Sequence, residues 1–169
     1  VGMSLAERLY ADGAQLIVAD IAQKRIDQAV SQLGATAVTS DEIFNVEADV
    51  FAPCALGAVI NDDTIPRLTV KVVAGSANNQ LAEARHGDAL KARGIVYAPD
   101  FIINGGGVIN VADELQPGGY NRDRAYALVA DIGNKVARAL SLADERGIST
   151  DAAAVTMAEE RLQAARQTA

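Results

Sequence analysis

Gly2 and Asp20 are the first residues in this chain whose types and spacing point to chemistry. Gly2 heads a stretch in which Leu5, Leu9 and Tyr10 recur at helical spacing. A helix that begins at a glycine presents free N–H groups and the positive end of its dipole, and both favour an anion such as a pyrophosphate. Asp20 closes the run Gln15-Leu16-Ile17-Val18-Ala19, whose length and branched content predict a buried strand. In a dinucleotide-binding unit, an acidic residue about 20 positions beyond the glycine loop accepts hydrogen bonds from ribose hydroxyls. The interval from Gly2 to Asp20 fits if Gly2 is the last glycine of that loop. On these residues alone both assignments stay open: Asp20 reads equally well as a solvated strand end, and Gly2 as an ordinary helix start.

Other candidates lie just beyond later strands. Cys54 sits in Pro53-Cys54-Ala55-Leu56-Gly57. It has no neighbouring His or carboxylate pair to activate it, so a small buried apolar group is the plainer reading of the thiol. Asn78 and Asn79 follow Gly75-Ser76-Ala77, placed either to approach a ligand or to cap the next helix. Asn104 precedes Gly105-Gly106-Gly107, either a flexible turn before a helix or a close backbone approach to a ligand. His86, the single histidine, falls on a polar helix face and reads as solvated, and one histidine excludes a multi-histidine metal site.

The elements that must position these residues alternate. Helices are predicted over residues 3–11 and 22–33, the second with Ile26, Val30 and Leu33 on its inner side, a short helix over 41–45, and another over 79–92. Strands are predicted at 15–20, 35–38, 49–53, 70–74 and 95–98. Such alternation indicates βαβ units, a parallel sheet and right-handed crossovers. Beyond the triple glycine, residues 122–146 read as one long helix ended by Gly147, and a last helix runs from Thr150 or Asp151 to about Gln167. The division expected is a dinucleotide-binding unit over residues 1–121 and a helical segment over 122–169. The fold class is α/β: a Rossmann-type, doubly wound parallel sheet with a C-terminal helical segment, its first strand and the start of its glycine loop expected upstream of Val1.

Composition narrows the partners. Half of the 169 residues are apolar, Trp is absent, and the net charge is −7. Without a basic stripe, nucleic acid is not an expected partner. No run approaches the roughly 20 apolar residues of a membrane span. One cysteine allows no intrachain disulfide, which fits a reducing, cytoplasmic setting.

Three ordered motifs then carry a resemblance. Phe51-Ala52-Pro53-Cys54-Ala55-Leu56-Gly57, Ala74-Gly75-Ser76-Ala77-Asn78-Asn79-Gln80-Leu81, and Tyr97-Ala98-Pro99-Asp100-Phe101 with Asn104-Gly105-Gly106-Gly107 resemble the coenzyme domain of the Glu/Leu/Phe/Val dehydrogenases. Ala77-Asn78-Asn79-Gln80 is similar to the leucine, phenylalanine and valine branch. The resemblance implies NAD as cofactor and reversible deamination of an L-amino acid to its 2-oxo acid and ammonium. It places Gly2 under the pyrophosphate, Asp20 on the ribose with Ile21 beside the adenine, and Cys54 and Ala55 at the nicotinamide. Asn78 would orient the nicotinamide ribose and touch the substrate's main-chain groups, and Val108 would approach its side chain. An Asp at position 20 repels a 2′-phosphate, so NAD is expected over NADP. Leucine is the first choice of substrate and phenylalanine the second.

The chain departs from the family in two ways. Gly105 stands where the family usually has Ala. The family's catalytic lysines and aspartate belong to an N-terminal substrate domain, and Lys24, Lys71, Lys91 and Lys135 match none of those positions. No catalytic residue is therefore expected within these 169 residues, which alone should not turn over substrate. Homo-oligomers are implied for the complete enzyme. The alternative function is a stand-alone nucleotide-binding or oligomerisation module that kept the fold without the chemistry.

Overall fold

The computed structural model describes residues 1–167. They form a mixed α/β structure with short parallel strands. In chain order the elements are α1 (Gly2–Ala11), β1 (Ile17–Val18), α2 (Gln23–Leu33), β2 (Thr36–Ala37), β3 (Val50–Phe51), β4 (Val72–Val73), α3 (Arg85–Ala92), β5 (Val96–Tyr97), α4 (Asp100–Ile103), α5 (Gly106–Glu114), α6 (Arg122–Ala130), α7 (Ile132–Arg146) and α8 (Thr150–Gln167). Single 3-10 turns lie at Glu42–Asn45 and Ile65–Arg67. Gly34 and Gly147 end α2 and α7 with φ of 62° and 64°, a conformation that costs glycine little because it has no Cβ.

The strands form two parallel sheets, β1–β2 and β3–β4–β5. Val72 lies between Val50 and Val96, and Val73 between Phe51 and Tyr97, so β3, β4 and β5 end level with one another. The main core is built on this second sheet from Ile60, Ile65, Leu68, Val73, Leu90, Ile95 and Tyr97. Burying such side chains contributes about 1.5–3 kcal/mol each. The C-terminal helices pack onto the same unit: α8 against α3, β5 and α7, and α7 against α4. Ala139, Ala143, Ala153 and Ala154 are buried, and their small side chains let α7 and α8 approach closely.

Several sequence expectations change in detail. Residues 79–84 are not helical, and α3 starts only at Arg85. The N–H groups of Ala58, Ile60 and Ala82 bond to Asn79 O, Gln80 O and Ile60 O, which draws residues 80–82 into an extended course beside Ile60. The predicted helix over 122–146 is two helices broken at Asp131, whose side chain bonds Asn134 and Lys135 instead. On α2 the buried residues are Ala29 and Leu33, whereas Val30 is exposed. The turn expected around the triple glycine is helical: Gly106 and Gly107 form the first turn of α5, and Gly105 has an ordinary φ of −61°.

His86 overturns its expectation outright, being 1% exposed. Its Nδ1 accepts the Glu83 N–H at 3.0 Å, and its Nε2 lies 3.3 Å from Asp62 Oδ1. The helical periodicity that put it on a polar face fails because residues 80–82 are extended and the helix begins only at Arg85. Asp62, Glu83 and His86 bring ligand-type atoms within 4.8 Å of one another. The Arg85 guanidinium already holds both carboxylates, and it pulls Asp62 down to about 2. The group is an ion-paired clasp between the loop after β3 and the start of α3.

A second clasp joins α5 to α6. Asp113 is buried and accepts from Asn121 N–H at 2.6 Å and from Arg124 Nε. Arg124, and next the Asn121 N–H, hold its carboxyl below the ordinary 3.8. A depressed folded-state value means stability that is present above pH 3.8 and lost as the pH falls below it. Asp113→Asn is therefore expected to lower the urea midpoint at pH 7, with the gap to wild type closing on acidification below about pH 4. Equal gaps at pH 7 and pH 3 would show that the charge contributes nothing.

Candidate functional site

The loops that leave β3, β4 and β5 meet at the C-terminal ends of those strands, where ligands bind in open α/β sheets. Pro53, after β3, accepts the Ala77 N–H at 2.9 Å through its carbonyl oxygen. Gly75, after β4, lies so close to Pro53 that a Cβ there would sit 2.1 Å from Pro53 O and 2.4 Å from its N. Gly57 is also pressed against the next turn, less severely: its Cβ would fall 2.7 Å from Asn78 O and 2.8 Å from Asn79 O. Asn104, after β5, donates through Nδ2 to Asn78 Oδ1 at 2.6 Å. Three segments far apart in sequence thus form one wall, and the glycines stand where backbone meets backbone.

The start of α1 reaches this wall. A Cβ on Gly2 would lie 3.3 Å from Cys54 Cβ. No side chain caps α1 and no acid occupies its first turn, so its leading N–H groups face no competing anion. Asp20 and Ile21 stand apart from this wall, beyond the end of β1 in the other sheet. Asp20 Oδ1 accepts the Ala22 N–H at 2.8 Å, and Arg25 approaches Oδ2 at 3.4 Å. The Ala22 contact, aided by Arg25, holds the carboxyl below its ordinary value. Ile21 is 96% exposed.

Two further signals come from the structure, the first in the wall and hidden from the sequence, the second on α5. Among the described residues, the buried side-chain atoms without a partner are Ser76 Oγ and Gln80 Oε1, both in the 75–80 loop. Unsatisfied buried groups are uncommon, and each calls for a specific cause such as strain, a water, an ion or a catalytic role. Asn79, one residue before Gln80, holds φ at +52°, so it does not cap a helix. The second signal is apolar. Val108, Val111 and Leu115 are 74%, 60% and 84% exposed and share one face of α5 at spacings of three and four. Only Val108 was singled out in the sequence, although the spacing to Val111 was there to read.

A small cavity of about 180 Å³ lies behind the wall, lined by Asn79, Leu81, Ala84, Tyr97, Asp100, Phe101 and Asp151. Burial pushes the Asp151 carboxyl up, and the charges of Asp100 and Asp88 add to this.

The family model for Glutamate/Leucine/Phenylalanine/Valine dehydrogenase matches residues 8–169. The chain belongs to this family. It is 54% identical to a leucine dehydrogenase of Bacillus cereus over 162 residues, 96% of this chain and 44% of that protein. A leucine dehydrogenase of Thermoactinomyces intermedius is 55% identical over 168 residues, 99% of this chain and 45% of its own length. The crystal structure of L-tryptophan dehydrogenase from Nostoc punctiforme superposes with a TM-score of 0.92 at 39% identity, covering 96% of this chain and 49% of that one. The chain thus spans less than half the length of these relatives. Its mixed α/β fold is shared over that length with the Nostoc punctiforme structure. Among the described residues, no helix is long and apolar enough to cross a membrane.

Proposed function

We propose that this chain is the coenzyme-binding part of an NAD-dependent L-amino-acid dehydrogenase that interconverts leucine, or a similar branched-chain amino acid, and its 2-oxo acid. The observation that carries the reading is the wall itself: three loops and a helix start converge at the C-terminal ends of parallel strands. The leucine assignment rests on the named relatives. In this reading β1–β2 and β3–β4–β5 are parts of one doubly wound sheet, residues 1–121 form its dinucleotide-binding unit, and residues 122–167 are the helical segment, positions 168 and 169 of the predicted segment lying outside the described residues. The complete enzyme is cytoplasmic and homo-oligomeric.

The residues fit the cofactor. The uncapped start of α1 at Gly2 suits a pyrophosphate, because free N–H groups and the helix dipole stabilise an anion there. Asp20 takes the adenine-side ribose hydroxyls, and the exposed Ile21 covers the adenine. Cys54 and Ala55 offer backbone at the nicotinamide end. Asn78, its Oδ1 engaged by Asn104, keeps Nδ2 free to donate to the nicotinamide ribose or the substrate. Val108, with Val111 beside it, gives the substrate side chain an apolar surface. When bound, the nicotinamide supplies the hydride acceptor, and these residues supply its placement. The general acid and base belong to the substrate domain.

Calorimetric titration of the chain with NAD, NADP and ADP-ribose tests the reading. NAD is expected to bind and NADP to bind at least about tenfold more weakly, since Asp20 repels a 2′-phosphate. Asp20→Ala is expected to weaken NAD and ADP-ribose alike by about tenfold, the loss of a charge-assisted hydrogen bond. A chain that binds none of the three ligands refutes the proposal.

A further inference from the structure

Asp100 follows Pro99 at the end of β5 and is 6% exposed. Its Oδ2 accepts the Gln80 N–H at 2.7 Å, and its Oδ1 accepts the Phe101 N–H at 2.6 Å. Its own N–H donates to the Tyr97 hydroxyl at 3.2 Å. Gln80 is fully buried, and its Nε2 donates to Gly75 O at 2.7 Å and to Ala77 O at 3.0 Å. The turn from Gly75 to Gln80 is therefore tied internally by the Gln80 side chain and externally, through the Gln80 backbone, by Asp100. The turn needs such ties. Asn79 is held at positive φ, a conformation that persists only where surrounding contacts enforce it. If Asn79 relaxes, Asn78 swings away from Asn104.

We propose that Asp100 is a positioning residue for the nicotinamide end of the site: by gripping Gln80 it sets the turn that presents Asn78. This rests on the reading that the 75–80 loop faces the nicotinamide. Chemistry selects a carboxylate here, because both oxygens accept from backbone N–H groups. An amide at this position offers one acceptor and turns an NH₂ group toward the other donor. Among the described residues, the hydrogen bonds of Asp100 run to Gln80, Phe101 and Tyr97 and not to Gly2 or Asp20, so its influence is expected at one end of the ligand.

The test compares NADH with ADP, which lacks both the nicotinamide and the ribose that carries it, on the chain carrying Asp100→Asn. NADH affinity is expected to fall about tenfold, the loss of one charge-assisted hydrogen bond, while ADP affinity stays within about twofold. Amide exchange across residues 75–81 is expected to accelerate, with exchange in α1 unchanged. Unchanged NADH affinity overturns the proposal, and so does an equal loss for both ligands, which would mark general destabilisation. Should Asp100→Asn fail to fold, Tyr97→Phe keeps the buried ring and removes only the hydroxyl behind Asp100. It is then judged by the same split, with a fall of about threefold expected for NADH alone. A wild-type chain that binds neither ligand sinks the cofactor reading, and amide exchange alone then decides Asp100: unaltered exchange at 75–81 in the variant overturns its role.

Discussion

Gly75→Ala is expected to destabilise the chain by more than about 3 kcal/mol and to abolish NAD binding. The added methyl would stand 2.1 Å from Pro53 O, 2.4 Å from Pro53 N and 2.6 Å from Pro53 Cδ. None of these atoms is the end of a flexible side chain, so relief requires the loops after β3 and β4 to part. Parting breaks the Ala77 N–H to Pro53 O bond and loosens the turn that carries Asn78. Urea unfolding and NAD titration measure both effects. Gly107→Ala is the control, because an added Cβ there meets nothing within 4 Å. A Gly75→Ala chain within about 1 kcal/mol of wild type would mean that the close approach is not needed.

Asn78→Asp is expected to lower kcat/KM for leucine oxidation in the complete protein by about 100-fold, near the cost of removing one aimed hydrogen-bond donor at a reacting centre. The substitution keeps size and shape and leaves Oδ1 available to Asn104, so the contact at 2.6 Å survives. What it removes is the Nδ2 donor, and it adds a negative charge. Asn78→Ala removes the donor without the charge and is expected to lose a similar factor. Asn104→Ala leaves the donor but frees its orientation, and a smaller loss of about tenfold is expected. Steady-state kinetics with thermal unfolding as a control separates these cases. If Asn78→Asp retains most of the activity, the side chain does not act as a donor.

These two expectations differ in how far they were legible in the chain. Asn78 was a candidate from its place beyond a strand and from the motif around it. Gly75 was visible only as a glycine in that motif, and its reason for being glycine lies in Pro53, which is distant in sequence. Asp100 was invisible as a clamp: Pro99-Asp100 reads as a strand stop, and no local rule links it to Gln80. His86 was misread because 79–92 was given one helical period, whereas pairing with Ile60 keeps 80–82 extended.

The sequence alone determined the alternation of strands and helices as far as β5, the parallel α/β class and the three motifs that mark the family. Those are local or contiguous properties: apolar periodicity, turn glycines and short runs of fixed composition. Only the tertiary structure decided which loops touch, where glycine is compulsory, and that Asp100 and Gln80 tie the turn beneath Asn78. These depend on strands ending level in one sheet, and that register brings residues 20 or more positions apart to within a hydrogen bond.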